Sequence, residues 1–319
     1  MPSPRKPTTS SGRKAAPKKK KAPKAKKTWR PLLLGAPPDT SVLKTLAARQ
    51  HNAPCELDAQ GFADLPADVR DLLRQIRSPW KGVMAAMVKR RLVEVVEETF
   101  AGTTLAEPIA AWIGRGKQSR AQYFDMIASR LDMPLEARRD LAAAVELAHA
   151  GTLLQDDIID ESPERRGLPA LWKTHGIKAA MLAGNMLAIA GIDLVRQCQA
   201  IDEDQRFWLA DELFLMVGET CHGELIQDFH APDAGPVSRD RIAAEKTGSF
   251  FLWAAEAGGL PMLDDLSDED LDVLRQGGLM LGVLFQRIDD GEDYPAGELK
   301  RPPIDFDSLF SPDPDAPEL

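Results

Sequence analysis

Cysteine is scarce in this chain: Cys55, Cys198 and Cys221 are scattered, odd in number and without metal-ligand spacing. That excludes a disulfide framework and a zinc cluster, and points to a reducing compartment. Tyrosine occurs twice and aromatics make up only 6 %. The period-two runs of Val, Ile and Thr that mark strands are missing, and no repeat of fixed period appears. No apolar run reaches the roughly 18 residues of a membrane span. The basic N-terminus never develops the apolar core of a signal peptide. These absences lead to the expectation of a soluble, cytoplasmic protein.

What is abundant is Ala, Leu and charge, a composition that favours helices over sheets. The net charge of −9 hides two opposed regions. Residues 1–30 carry about a dozen Lys and Arg and no acid, leaving about −20 on the rest. Residues 1–28 have essentially no large apolar side chain, so this tail reads as disordered. It is either an electrostatic tether to anionic membrane or nucleic acid, or a solvated tail with no fixed partner. Residues 31–79 are broken by Pro37, Pro38, Pro54 and Pro66, with short helices expected at 40–50 and 67–77. They form an appendage or a leading layer of the main domain. From residue 80 to about 300, amphipathic stretches follow one another: Met84, Met87, Val88, Leu92, Val95 and Val96, then 119–131, 136–160, 175–200, 203–230, 238–258 and 267–293. An acidic, Pro-rich tail, 301–319, closes the chain. The fold class expected is all-α: an antiparallel helical bundle with sites built from inward-facing side chains.

Two stretches carry the chemistry. Asp156, Asp157 and Asp160 cluster on one helix that also carries the apolar Leu153-Leu154 and Ile158-Ile159. Clustered carboxylates repel each other unless a cation neutralises them. A solvated helix face is the alternative for one such cluster. The second, Asp289, Asp290 and Asp293, repeats the same spacing at the end of another apolar helix. Two triplets facing each other across a bundle suit Mg²⁺, which takes few protein oxygens and keeps sites for phosphate and water. Cations for an anion are also present. Lys117 and Arg120 lie in a glycine-bearing loop opening a helix. Arg165-Arg166-Gly167 follows the first cluster, and Lys246-Thr247-Gly248 sits among Ala243, Ala244, Phe250 and Phe251. Each cation taken alone reads equally as a surface charge, and His149 reads equally as a satisfied core histidine.

Six of these elements, in order from about Trp112 to Asp293, resemble the trans-isoprenyl (polyprenyl) diphosphate synthase family. They are Gly116-Lys117-x-x-Arg120, Glu146-x-x-His149, Asp156-Asp157-x-x-Asp160 with Arg165-Arg166-Gly167-x-Pro169, Gly223-Glu224-x-x-Gln227-Asp228, Lys246-Thr247-Gly248 and Phe285-Gln286-x-x-Asp289-Asp290-x-x-Asp293. The resemblance implies an isoprenoid-synthase bundle that condenses isopentenyl diphosphate with an allylic prenyl diphosphate. It implies Mg²⁺ held by Asp156, Asp160, Asp289, Asp290 and Asp293, with Asp157 and Lys246 completing the catalytic set. Arg165, Lys246, Thr247 and Gln286 would hold the allylic diphosphate. Lys117, Arg120, His149 and Arg166 would hold isopentenyl diphosphate. A homodimer, or a heterodimer with another synthase chain, is implied as well.

The chain departs from the family twice. Gln155 stands where His is common, and Tyr294–Pro303 replaces a glycine- and lysine-bearing loop and further helices. That departure keeps open a catalytically weakened regulatory subunit, and a divergent class I terpene synthase, beside an active short- or medium-chain synthase. Thr152, Gly151 and Ala148, up to two turns before Asp156, are expected to form an open cavity floor and products beyond about fifteen carbons. The rival expectation is that Met181, Met186 or Phe214 fills that space.

Overall fold

The computed structural model describes residues 67–229, 237–262 and 267–293. The expected helix at 40–50, both tails and Cys55 lie outside these residues. The helices are α1 (Ala67–Arg77), α2 (Val83–Thr99), α3 (Ala106–Ile113), α4 (Ser119–Ala128), α5 (Leu135–Ile159), α6 (Leu171–His175), α7 (Ile177–Gln197), α8 (Glu203–Asp228), α9 (Arg239–Ala243), α10 (Ser249–Gly259) and α11 (Asp268–Asp293). Among the described residues the only strands are the two-residue β1 (Glu164–Arg165) and β2 (Leu168–Pro169), paired antiparallel. The chain is all-α, as its composition indicates.

Local chemistry explains several boundaries. Asp202 accepts a hydrogen bond from the Gln205 backbone N–H at 2.9 Å and opens α8, and Ser238 does the same for Arg241 at 3.1 Å and opens α9. The single helix expected over 238–258 is interrupted. A π-turn at Ala244–Gly248 joins α9 to α10 and contains Lys246 and Thr247. Such bulges redirect side chains within a helix, and they concentrate at functional sites.

The core is one cluster running through α1, α2, α4, α5, α7, α8, α10 and α11. α1 belongs to it: Leu73 and Ile76 are wholly buried, and the helix lies against α4 and α11. Residues 67–77 are therefore a layer of the bundle.

α5 and α7 approach through small residues. A Cβ at Gly151 would lie 2.5 Å from the Gly184 carbonyl oxygen, and one at Gly191 would lie 2.6 Å from that of Ala144 and 3.4 Å from the Ala148 Cβ. This corrects the expected cavity floor. Gly151 and Ala148 face α7 and leave no room for a growing chain. Of the expected floor only Thr152, one turn before Asp156, lies on that residue's side of the helix. Met181, Met186 and Phe214 do not fill a cavity either, since each is more than 40 % exposed. The seam turns Met181 and Met186 to the outer face of α7.

With apolar residues on both faces, α7 is long and apolar enough to cross a membrane, its best window having a mean hydropathy of 1.4. This corrects the expectation that no such run exists. Its inner face, however, is the wall on which α5 packs.

A charged group is also buried in this core. Glu256 is fully buried and ion-paired to Arg275, with the Glu212 carboxylate nearby. Burial, reinforced by Glu212, pushes the Glu256 carboxyl above its usual range.

Two measurements test this packing. Gly151→Ala should cost about 1–3 kcal/mol in urea unfolding, because the added methyl overpacks a backbone contact. An unchanged midpoint would show the seam to be loose. Arg275→Met should cost about 3 kcal/mol near pH 8 by stranding a buried carboxylate. Because the Glu256 pKa is raised in the folded state, protonation favours folding. The deficit should shrink as pH falls toward 5 and grow as pH rises through the folded pKa. A deficit independent of pH would show that Glu256 does not carry the charge.

Candidate active site

Two clusters of opposite charge meet at the end of α5. The acidic one is formed by Asp156 from α5, Asp160 just past its end and Glu224 from α8, whose carboxylate oxygens lie within 4.8 Å of one another. Gly223 makes this possible: a Cβ there would lie 2.9 Å from both the Glu245 Cβ and the Lys246 backbone nitrogen. Only glycine lets α8 press against the π-turn and bring its next residue, Glu224, to Lys246. The Lys246 ammonium ion-pairs with Glu224, lies 3.7 Å from an Asp156 oxygen and donates to Gln227 at 3.1 Å.

Arg165 closes the other side. It donates to Asp157 at 2.6 Å and to Asp156 at 2.9 Å. Asp157 is buried, so the sequence cluster divides: Asp156 and Asp160 face the site, and Asp157 anchors Arg165. Burial raises the pKa values of Asp160 and Glu224, with Asp156 adding to both and Lys246 offsetting them in part. Burial alone would lower Lys246, but the hydrogen bond and charge of Glu224, with Asp156 and Asp160, outweigh it and raise it. The internal cations thus leave the acidic group under-neutralised. One Glu224 oxygen and one Asp157 oxygen are buried with no hydrogen-bond partner. All-oxygen donors with lone pairs to spare fit a hard divalent cation.

The basic cluster is built from Lys117, Arg120, His149 and Arg166. Gln118, in a left-handed conformation (φ 58°), turns the chain into α4, and buried Glu146 accepts from the Ala121 backbone N–H at 3.1 Å. The Arg120 guanidinium lies 5.4 Å over the Phe251 ring, and burial drives its pKa down to about 10, with Glu146 and Asp289 opposing. Arg166 lies 4.6 Å over Trp112, where a Cβ at Gly116 would come within 2.7 Å of its guanidinium. Gly116 is therefore the gap through which Arg166 passes. Burial, followed by the charges of Arg120, Arg166 and Arg165, holds His149 well below the usual histidine range. That favours the neutral imidazole, whose ring meets Phe250 edge-on with centroids 5.8 Å apart, and Lys117 is exposed at the edge.

The β1–β2 hairpin joins the clusters. Arg166 and Gly167 both have positive φ (55° and 73°), the signature of a two-residue type I′ turn, between the paired Arg165 and Leu168. The tight turn sends Arg165 to the acidic cluster and Arg166 to the basic one. Adjacent arginines thereby serve two sites.

Of the remaining residues expected here, Thr247 donates to Gln286 at 2.6 Å, tying the π-turn to α11. Asp289 is ion-paired with Arg77 of α1. The side chains of Asp290 and Asp293 lie outside the described residues. Gln155 donates to Asn185 of α7 at 2.8 Å, so this departure belongs to the α5–α7 contact. The sequence reading did not place Glu224 among the ligands, although its motif was visible. It missed Arg77 altogether, since nothing in a surface-like Arg-Gln-Ile-Arg stretch announces a partner 212 residues away.

Manganese titration followed by electron paramagnetic resonance tests the acidic cluster. Glu224→Gln or Asp160→Asn should weaken the bound signal by at least about tenfold, each removing one charged ligand. Undiminished binding in both variants would place the cation elsewhere.

Comparison with known proteins identifies the family. The polyprenyl synthetase family model matches residues 103–300. A geranylgeranyl diphosphate synthase of Methanosarcina mazei is 32 % identical over 57 % of this chain and 56 % of its own length. An octaprenyl diphosphate synthase of Escherichia coli is 28 % identical over 57 % and 55 %. The chain thus spans little more than half the length of these curated relatives. The geranylgeranyl pyrophosphate synthetase structure from Pyrococcus horikoshii superposes with a TM-score of 0.57 at 23 % identity, over 72 % of this chain and 69 % of that one. The family model covers well over half of the chain, and the chain belongs to the polyprenyl synthetase family.

Proposed function

We propose that the protein is a trans-prenyltransferase that joins isopentenyl diphosphate to an allylic prenyl diphosphate, giving a short- or medium-chain all-trans product. The observation that carries this reading is the hairpin dividing Arg165 from Arg166, which sets a metal-suited acidic site beside a wholly protein-built cationic one. A class I terpene cyclase has no use for that second diphosphate site.

Asp156, Asp160 and Glu224 would hold Mg²⁺, with Asp289, Asp290 and Asp293 as the opposing set. The metal, when bound, neutralises charge on the departing allylic diphosphate. Lys246 and Arg165 are aimed at the same leaving group, where developing negative charge gains most from fixed donors. Gln286, held by Thr247, supplies an amide to that diphosphate. Lys117, Arg120 and Arg166 bind the other diphosphate, while neutral His149 donates a hydrogen bond without adding charge. Holding both substrates in one orientation supplies much of the rate gain, since the cation formed must meet its partner's double bond before water does.

The outer face of α7 bears on partners. Ile177, Met181, Leu182, Met186 and Ile189 recur at helical spacing and are all exposed, opposite the buried seam. A second chain, of this or another synthase, is the occupant we assign to it. That leaves a regulatory-subunit role as the second reading.

Incubating the protein with Mg²⁺, isopentenyl diphosphate and each allylic primer in turn, then identifying products, decides between them. The expected outcome is chain elongation by the protein alone, lost in Asp156→Ala by about two orders of magnitude or more. If no primer is extended, but adding the chain changes the products of a complete synthase, the regulatory reading stands instead.

A further inference from the structure

Lys246 reaches the acidic cluster from a π-turn, and such a turn persists only if the backbone groups it displaces find partners. At its end the Ser249 backbone N–H bonds the Ala244 carbonyl, five residues back. In an α-helix it would bond Glu245, four back. The Glu245 carbonyl that it passes over is taken by Ser249's own hydroxyl, which donates to it at 2.7 Å. That hydroxyl lies 2.9 Å from the Thr220 hydroxyl of α8, and both residues are buried. A hydroxyl has one proton to give. With Ser249 donating to Glu245, Thr220 donates to Ser249, although it also lies 2.9 Å from the Met216 carbonyl of its own helix. A relay of two hydroxyls therefore runs from α8 to the carbonyl that the π-turn releases.

A buried carbonyl left without a donor is costly, and the helix has a way to avoid that cost. Expelling one residue from the turn would return the backbone N–H of residue 249 to Glu245 and restore an α-helix. That change rotates what precedes it by about 100° about the helix axis. It would swing Lys246 away from Asp156 and Glu224, which it now meets. Other contacts brace the turn from outside: the Glu245 carboxylate pairs with His222 and Arg241, and Thr247 donates to Gln286. The Ser249 hydroxyl acts on the released carbonyl itself. Resting on the prenyltransferase reading for its substrate, we propose that Ser249, oriented by Thr220, is a positioning residue that holds the π-turn open and so aims Lys246 at the departing allylic diphosphate.

The experiment uses the full chain and isothermal titration with inorganic diphosphate in the presence of Mg²⁺. Ser249→Ala and Thr220→Val each remove one hydroxyl and should weaken binding by about tenfold or more. Thr220→Ser, which keeps the hydroxyl, should bind within about threefold of wild type. The decisive comparison is a double-mutant cycle with Lys246→Gln. If Ser249 acts through Lys246, adding Ser249→Ala to Lys246→Gln should cost less than about a further twofold. Full additivity would overturn the role and leave a packing contact, and so would wild-type binding in both variants that lack a hydroxyl. Thr220→Val carries the cycle if Ser249→Ala does not fold. Kinetics separate this proposal from the reading it rests on. The kcat/KM for the allylic primer should fall in parallel with diphosphate binding, while the KM for isopentenyl diphosphate stays within about twofold of wild type. An additive cycle with primers still extended removes the positioning role alone. A coupled cycle with no primer extended removes the prenyltransferase reading and leaves the two hydroxyls positioning Lys246 for another diphosphate. A wild-type chain that binds no diphosphate removes both.

Discussion

Carboxylates crowded into a half-buried space are the constraint around which this molecule is arranged. Burial raises the proton affinity of Asp160 and Glu224, and the charge of Asp156 adds to both. Only cations can make such a group tolerable. The chain supplies two of its own, Lys246 from the π-turn and Arg165 from the hairpin. Both are attached to irregular backbone, where a helix would have pointed them elsewhere. Neither cancels the acidic charge fully, and a divalent cation would make up that shortfall. The irregular elements are thus electrostatic devices as much as connections.

That arrangement works only because backbones come closer than side chains usually permit. Gly223 lets α8 touch the π-turn, and Gly116 lets the Arg166 guanidinium pass. The glycine–alanine seam sets α5 rigidly on α7. A rigid α5 matters for chemistry, because Asp156 and Asp160 sit at its last turn. An error of about 1 Å there would spoil alignment with the opposing cations. Packing, charge placement and reactivity are one problem in this bundle.

The sequence disclosed the parts that depend on residue type and short spacing. The helices, both aspartate triplets, the paired arginines and the Lys-Thr-Gly segment were legible because each is local. What stayed hidden depends on facing across space. Gly151 and Ala148 look alike whether they line a cavity or a helix contact, and the partner, Gly184, decides. Glu224 lies in a visible motif, yet its closeness to Asp156 and Asp160 comes from the crossing of α8 with α5. The π-turn was unreadable because its Ala-Glu-Lys-Thr-Gly sequence is compatible with an ordinary helix, and its close contact with Gly223 is long-range.

Arg77 extends the same lesson toward function. A helix that precedes the family's recognisable motifs ends with a guanidinium against the second aspartate-rich segment, and that segment closes the last described helix. The site is therefore bounded by the first and last described elements, and α1 and α11 must dock before it is complete. Docking rests on Leu73 and Ile76, which contribute apolar burial without regard to charge. The ion pair then fixes which face of α11 meets the cations, since a carboxylate and a guanidinium shielded from water tolerate little misalignment. Hydrophobic burial brings the two helices together; the charge pair determines their register. In this protein the polar residues of the site also specify how the bundle closes.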